Sequence, residues 1–100
     1  MKEYLIDFTG VKNYDDLHDA LSQGFNFPPY YGRNMDALWD LLTGWIASHA
    51  VIYLKGLNKL PDKLKEKKTV MLELFQELHD HYENHPYGDI GSYEIKIIDD

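Results

Sequence analysis

The amino-acid sequence predicts an α/β fold, a three-stranded parallel sheet covered by helices. Three segments rich in β-branched and aromatic residues have the composition of strands, and about 40 residues containing helices separate each of them from the next. Connections of this length exclude hairpins and favour right-handed crossovers between parallel strands. A mixed α+β sheet with one antiparallel strand is the main alternative.

The first half of the chain predicts one strand and two helices. "EYLIDF" predicts a strand at about residues 4–8, and Asn13 begins a capping box before an amphipathic helix that Gly24 ends. The prolines and glycine of "FNFPPYYG" then mark a loop. Asn34 caps a second helix of about nine residues, which ends at Thr43 and Gly44.

The second half predicts a strand, a turn, a long helix and a last strand. "AVIYLK" predicts a buried strand at about residues 50–55, and "GLNKLPDKL" contains at most a turn or short helix. The long helix ends before Pro86, and "SYEIKII" forms the last strand. Apolar residues spaced 0, 3, 4, 7 and 11 define the inward face of the long helix: Met71, Leu74, Phe75, Leu78 and Tyr82.

Composition limits the classes of function. One hundred residues, of which 44% are hydrophobic, are enough for one domain spanning 1–100 around a single core. The absence of cysteine excludes disulfides and thiolate metal sites, and it suits the cytoplasm. Because the sequence shows neither a signal peptide nor a run of roughly 20 apolar residues, we expect no membrane partner and no export by this route.

The formal net charge of −7 favours a basic protein as the partner and disfavours nucleic acid. Six of the ten basic residues lie within residues 55–68, in a stretch that lacks arginine and interleaved aromatics. This stretch has the pattern of a solvated helix face more than that of a nucleic-acid patch. We expect a protein without cofactors that is a monomer when its partner is absent.

The second helix has an outward face that stability alone does not explain. Met35, Leu38 and Leu42 share the face that must be buried. Like charges at i and i+4, and an acidic residue in the last turn, each cost roughly 0.3–0.5 kcal/mol. A short helix selected only for stability would carry lysine at one of these positions. The outward stripe, spaced 0, 3, 4 and 7, consists of Asp36, Trp39, Asp40 and Thr43.

This stripe and the loop before it predict a protein-binding surface. Tyr30 and Tyr31 precede the helix, and aromatic rings around paired carboxylates are typical of an interface hot spot for cationic partners. The alternative is that each aspartate is simply a tolerated surface charge. A hydrolytic acid–base pair is less favoured, because Asp36 and Asp40 would lie on an exposed convex helix with no evident pocket.

Two histidines near the end of the long helix are candidates for a metal site. His81 and His85 are spaced i and i+4, which suits a transition metal. No third ligand is evident, and histidine is favoured electrostatically near a helix C-terminus. We therefore expect no metal site and no catalytic residue in this chain.

The block "YYGRNMDALWDLLTGW", residues 30–45, resembles the signature of the barstar family. Members of that family are small intracellular inhibitors of secreted bacterial ribonucleases of the barnase type. "DLHDAL" in the first helix and "FQE" in the long helix also sit where the family has counterparts. The resemblance implies a three-stranded parallel sheet with about four helices, a ribonuclease as the protein partner, and a role in toxin–antitoxin immunity in bacteria.

The resemblance also implies a role for individual residues. Asp40 would be the central contact, entering the ribonuclease active site in the place of a substrate phosphate, while Asp36 would pair with neighbouring cations. Tyr30 would pack its ring against a histidine of the enzyme. The remaining contacts implied by the family are Asn34, Trp39, Thr43, Gly44, Trp45 and, in the long helix, Glu77.

Two residues depart from the family pattern. Arg33 stands within the motif where an acidic residue occurs in the best-known relative, and His81 follows Glu77 where an acidic contact would be expected. Arg33 could partly neutralise the anionic face or select a different ribonuclease. It also leaves open a second function, in which the same fold binds a basic protein that is not a ribonuclease.

Overall fold

The computed structural model describes residues 2–45, 49–83 and 92–98, with the backbone alone described for 81–83, 92 and 93. The elements follow in the order β1 (Lys2–Asp7), α1 (Tyr14–Phe25), α2 (Met35–Gly44), β2 (His49–Lys55), α3 (Lys65–Glu83) and β3 (Ser92–Ile98). Short 3₁₀ turns occupy Leu57–Lys59 and Asp62–Leu64, between β2 and α3.

The three strands form a parallel sheet in the order β1-β2-β3. Both strand pairs are parallel, with Ile6 beside Leu54 and Leu54 beside Ile97. The predicted parallel sheet is therefore confirmed, and the mixed sheet with an antiparallel strand is wrong. The helix count needs correction, because the described residues contain three α-helices and the segment after β2 forms only the two 3₁₀ turns.

The core lies between the sheet and the helices. Ile6, Ile52 and Leu54 are fully buried on the inner face of the sheet. The ring of Phe25 from α1 contacts the rings of Tyr4 and Phe75, at centroid distances of 5.2 and 6.3 Å. These contacts place α1 and α3 on one face of the sheet. In the predicted inward face of α3, four residues are buried: Met71, Leu74, Phe75 and Leu78. The side chain of Tyr82, the fifth residue of that face, lies outside the described part of the chain.

The sequence predicted that Gly24 ends α1, and this is wrong. The helix continues to Phe25, and Asn26 closes it in the left-handed conformation, with its N–H donated to the carbonyl of Ser22. Gly24 instead allows α1 to approach β1. A Cβ atom on Gly24 would lie 2.2 Å from Cδ1 of Ile6 and 2.8 Å from the carbonyl oxygen of Leu5. The glycine is therefore a packing residue inside the helix.

We expect Gly24→Ala to lower the free energy of unfolding by about 2 kcal/mol, because the added methyl group forces α1 away from β1. Gly44 provides a matched control, since it also lies in a helix but a Cβ there meets nothing within 4 Å. Gly44→Ala should leave the stability unchanged or raise it by about 0.5 kcal/mol. Urea denaturation of both variants tests this packing. Equal effects of the two substitutions would contradict it.

Candidate functional site

Asn34 fixes the beginning of α2. Its Oδ1 accepts a hydrogen bond from the Ala37 N–H at 2.8 Å, and its Nδ2 donates to the carbonyl of Gly32 at 3.2 Å. The predicted N-cap is thereby confirmed. Both ends of this amide are engaged within the chain, so the structure gives Asn34 a role in orienting the helix.

Arg33 ties the loop before α2 to α1. Its guanidinium donates to the carbonyl of Asp15 at 2.7 Å, and it forms ion pairs with the carboxylates of Asp19 at 2.8 Å and Asp15 at 3.3 Å. The hydrogen bond to Asp19 is the main cause of the raised pKa of Arg33. Its backbone has a φ of 57°, which is uncommon outside glycine. The Arg33 charge is thus directed to α1, where acidic partners already neutralise it.

Tyr31 anchors the same loop from within the core. Its side chain is buried, and its hydroxyl lies 2.6 Å from Nδ1 of His18 in α1. Burial raises the pKa of Tyr31, and burial together with the nearby Arg33 charge lowers the pKa of His18 to about 4. Both groups are neutral at pH 7. The sequence placed Tyr31 in the binding surface with Tyr30, but only Tyr30 is exposed, with 75% of its surface accessible.

The two faces of α2 are divided largely as predicted. Leu38 and Leu42 are fully buried, whereas Asp36 and Asp40 are exposed. Trp39 differs from the prediction, because it is half-buried and packs against the core rather than pointing freely outward. Trp39 is partly covered because α3 runs beside this part of α2. The Trp39 side chain lines the space between the two helices.

A groove of about 440 Å³ lies between α2 and α3, and we call it the acidic groove. The sequence predicted no pocket beside Asp36 and Asp40, and this is wrong: α3 supplies the second wall of the groove. Four apolar side chains and four carboxylates line it: Met35, Trp39, Val70 and Leu74, with Asp36, Asp40, Glu73 and Glu77.

Asp40 occupies a special position in this arrangement. It lines the acidic groove and also a second cleft of about 210 Å³, which Tyr30, Tyr31 and Leu41 help to form. Of the residues that the structure describes, only Asp40 lines both the groove and the cleft. Its carboxylate is exposed and forms no ion pair with any residue that the structure describes. This carboxylate therefore projects between two concave surfaces.

The acidic groove carries negative charge that the described residues do not neutralise. Within the described part of the chain, no lysine or arginine lines it, and none of its four carboxylates has a cationic partner. Carboxylates held on an apolar floor interact more strongly with an approaching cation than carboxylates in bulk water do. The groove can thus bind cationic side chains of another protein without rearranging ion pairs of its own.

The predicted contacts at the C-terminal end of α2 follow Asp40 in the chain but do not line the acidic groove. The Thr43 hydroxyl donates to the carbonyls of Trp39 and Asp40, at 2.9 and 3.2 Å. Trp45 caps the helix with its backbone N–H, and its indole Nε1 donates to the carbonyl of Asn26 at 3.3 Å. Gly44 is exposed, and Trp45 remains 48% accessible. The end of α2 is therefore held in place while part of the Trp45 ring stays on the surface.

Sequence reasoning missed Glu73. It identified Glu77 through the family motif, and the structure brings Glu77 into the acidic groove with Asp36, Trp39 and Asp40. Glu73 lies one turn before Glu77, on the same side of α3. The spacing of Val70, Glu73 and Glu77 at 0, 3 and 7 carried the signal, but the sequence alone does not show that this side of α3 faces α2.

The described residues contain no cluster of three or more histidine, cysteine, aspartate or glutamate side chains suited to a metal ion. The side chains of His81 and His85, the candidate metal pair, lie outside the described residues. None of the helices that the structure describes has the length and the apolar composition of a membrane span.

Comparison with known proteins relates the chain to one family and to a curated relative. A family model described as Barstar (barnase inhibitor) matches residues 1–88. The chain is also 40% identical over 77 residues to the "Putative ribonuclease inhibitor YrdF" of Bacillus subtilis (strain 168). That alignment covers 77% of this chain and 85% of the Bacillus protein. The family-model match includes the loop before α2, the whole of α2 and the whole of α3.

The buried His18 makes stability depend on pH. Its pKa is about 4 in the folded protein, below the ordinary value of 6.5, so the unfolded chain takes up a proton first as the pH falls. The free energy of unfolding should therefore decrease between pH 6.5 and pH 4, by roughly 2–3 kcal/mol from this residue. Urea denaturation at pH 7.5 and pH 4.5 measures this loss.

His18→Gln provides the control, because it keeps a polar side chain near Tyr31 without a group that titrates in this range. The variant should lose less stability between the two pH values than the wild type does. If both proteins lose the same free energy of unfolding, His18 is not the source of the pH dependence.

Proposed function

Since the chain belongs to the barstar family, we propose that it inhibits a barnase-type ribonuclease by covering the active site of that enzyme. The family and the Bacillus relative support ribonuclease inhibition by a protein that is not itself an enzyme. The surface used is the acidic groove together with Tyr30 and the two ends of α2. Inhibition then requires no chemical step, because the substrate is simply excluded.

The position of Asp40 is the observation that carries this proposal. A ribonuclease active site must hold the phosphate of its substrate, so it presents cationic side chains to an anion. The Asp40 carboxylate is exposed, has no ion pair with a described residue, and is bordered by two concave surfaces. It enters the active site in the place of a substrate phosphate.

The residues around Asp40 complete the contact. Asp36 and Glu77 pair with further cations of the enzyme, and the exposed ring of Tyr30 packs against one of its histidines. Apolar and aromatic groups around these charges exclude water, which strengthens each ion pair. The remaining contacts come from Asn34, Trp39, Thr43, Gly44 and Trp45.

A different target is the competing function. In that case the acidic groove binds a basic protein that is not a ribonuclease, an interpretation suggested by Arg33. The guanidinium of Arg33 is paired with Asp15 and Asp19 on α1 rather than with the carboxylates of the groove. The anionic surface therefore keeps its charge, which supports a target built to hold phosphate.

The cellular role follows from this activity. Residues 1–100 act as one domain in the bacterial cytoplasm, as a monomer until the ribonuclease is bound. The inhibitor protects the cell from the ribonuclease until that enzyme is exported. It is then the antitoxin of a toxin–antitoxin pair. Its net charge of −7 keeps it from RNA and raises its rate of encounter with a basic enzyme.

Asp40→Ala should weaken inhibition of a barnase-type ribonuclease by about a hundredfold or more, because it leaves cations of the enzyme buried without a partner. The measurement follows RNA cleavage at near-stoichiometric amounts of inhibitor and enzyme. Glu66→Ala is the control, since it removes the same charge from an exposed position of α3 that does not line the groove.

Two results would count against the proposal. If wild-type protein leaves cleavage by a panel of barnase-type ribonucleases unchanged, the target is not an enzyme of this type. If Asp40→Ala inhibits as well as Glu66→Ala does, inhibition does not depend on Asp40 as the central contact.

A further inference from the structure

Glu73 extends the acidic groove beyond the contacts that the family motif implies. It lies four residues before Glu77 in α3, which corresponds to about 6 Å along the helix axis. Its side chain is exposed, lines the groove, and has no ion pair with a residue that the structure describes. The charge of the groove therefore continues along α3, away from Glu77.

An exposed apolar residue accompanies Glu73. Val70 lies one turn earlier, lines the same groove, and has 45% of its surface accessible. Leu74, one turn after Val70, is buried and forms part of the floor of the acidic groove. Lysine and arginine have an apolar stem and a charged head, so they fit a surface in which a valine is followed by a carboxylate. The distance of one helical turn between Val70 and Glu73 matches the reach of such a side chain.

We propose that Val70 and Glu73 form a specificity subsite for one further lysine or arginine side chain of the ribonuclease. The stem of that side chain packs on Val70 and its head pairs with Glu73. This inference rests on the proposed function and on the continuity of the subsite with the groove around Asp40. Ribonucleases that carry a lysine or arginine at this edge of the active site therefore bind more tightly than those that do not, and Glu73 is the residue that distinguishes them.

The charge of the groove favours this occupant over others. The groove has four carboxylates and, among the described residues, no lysine or arginine in its lining, so it repels nucleic acid and anionic peptides. A carboxylate alone would attract any cation, but the exposed Val70 beside Glu73 favours a cation with an apolar stem. A basic side chain of the partner satisfies both features.

Glu73→Gln should raise the dissociation constant for a barnase-type ribonuclease about fivefold, and Val70→Ser about threefold, measured by titration calorimetry. Glu66→Gln is the matched control for Glu73→Gln: it removes one charge from an exposed glutamate of the same helix outside the groove. It should change the dissociation constant less than twofold. Thermal unfolding of all three variants should match the wild type, because each side chain is exposed.

A double-mutant cycle identifies the occupant. Each lysine and arginine at the edge of the ribonuclease active site is replaced by alanine. The dissociation constant of each enzyme variant is then measured with the wild-type protein and with Glu73→Gln. One basic residue should lose most of its effect in the Glu73→Gln background. If Glu73→Gln and Glu66→Gln weaken binding equally, or no basic residue is coupled to Glu73, the subsite is wrong while the function stands. If the wild type binds none of the enzymes, the proposed function fails and the subsite fails with it.

Discussion

The hydrogen bond between Tyr31 and His18 is the interaction on which the presentation of α2 depends. It joins the loop before α2 to the buried side of α1, and Arg33 joins the same loop to the exposed side of α1 through Asp15 and Asp19. Asn34, at the end of this loop, accepts a hydrogen bond from the Ala37 N–H and so fixes where α2 begins. The helix backbone that carries Asp36 and Asp40 is thus held in place before any partner is bound, which lowers the entropic cost of binding.

The stability of α2 comes from its inward face, and this allows the outward face to be unfavourable. Leu38 and Leu42 are fully buried, and each contributes roughly 1.5–3 kcal/mol. Repulsion between Asp36 and Asp40 and the helix dipole at Asp40 together cost less than 1 kcal/mol, by the order of magnitude known for such pairs. Packing therefore outweighs the local penalties. A surface that is poor for an isolated helix persists because the core holds the helix.

Local patterns predicted the features that depend on neighbouring residues. The Asn13 and Asn34 caps are bonds within a single turn, and the parallel order of strands follows from the length of the crossovers. Gly24 was misassigned because its role is set by Ile6, which is 18 positions away in the chain. Trp39 and Glu73 depend on the crossing of α2 and α3, and the partner of Arg33 is on another helix. The spacing of residues shows which of them share one side of a helix, but it does not show which other element that side contacts.

Occupation of a phosphate site by Asp40 is tested most directly by competition with a nucleotide. The dissociation constant of the protein for a barnase-type ribonuclease is measured at increasing concentrations of a 3′-mononucleotide that fills the active site of the enzyme. If the carboxylate takes the place of the phosphate, the apparent dissociation constant rises linearly with nucleotide concentration and no ternary complex forms. An unchanged dissociation constant, with nucleotide and inhibitor bound together, would contradict this mechanism.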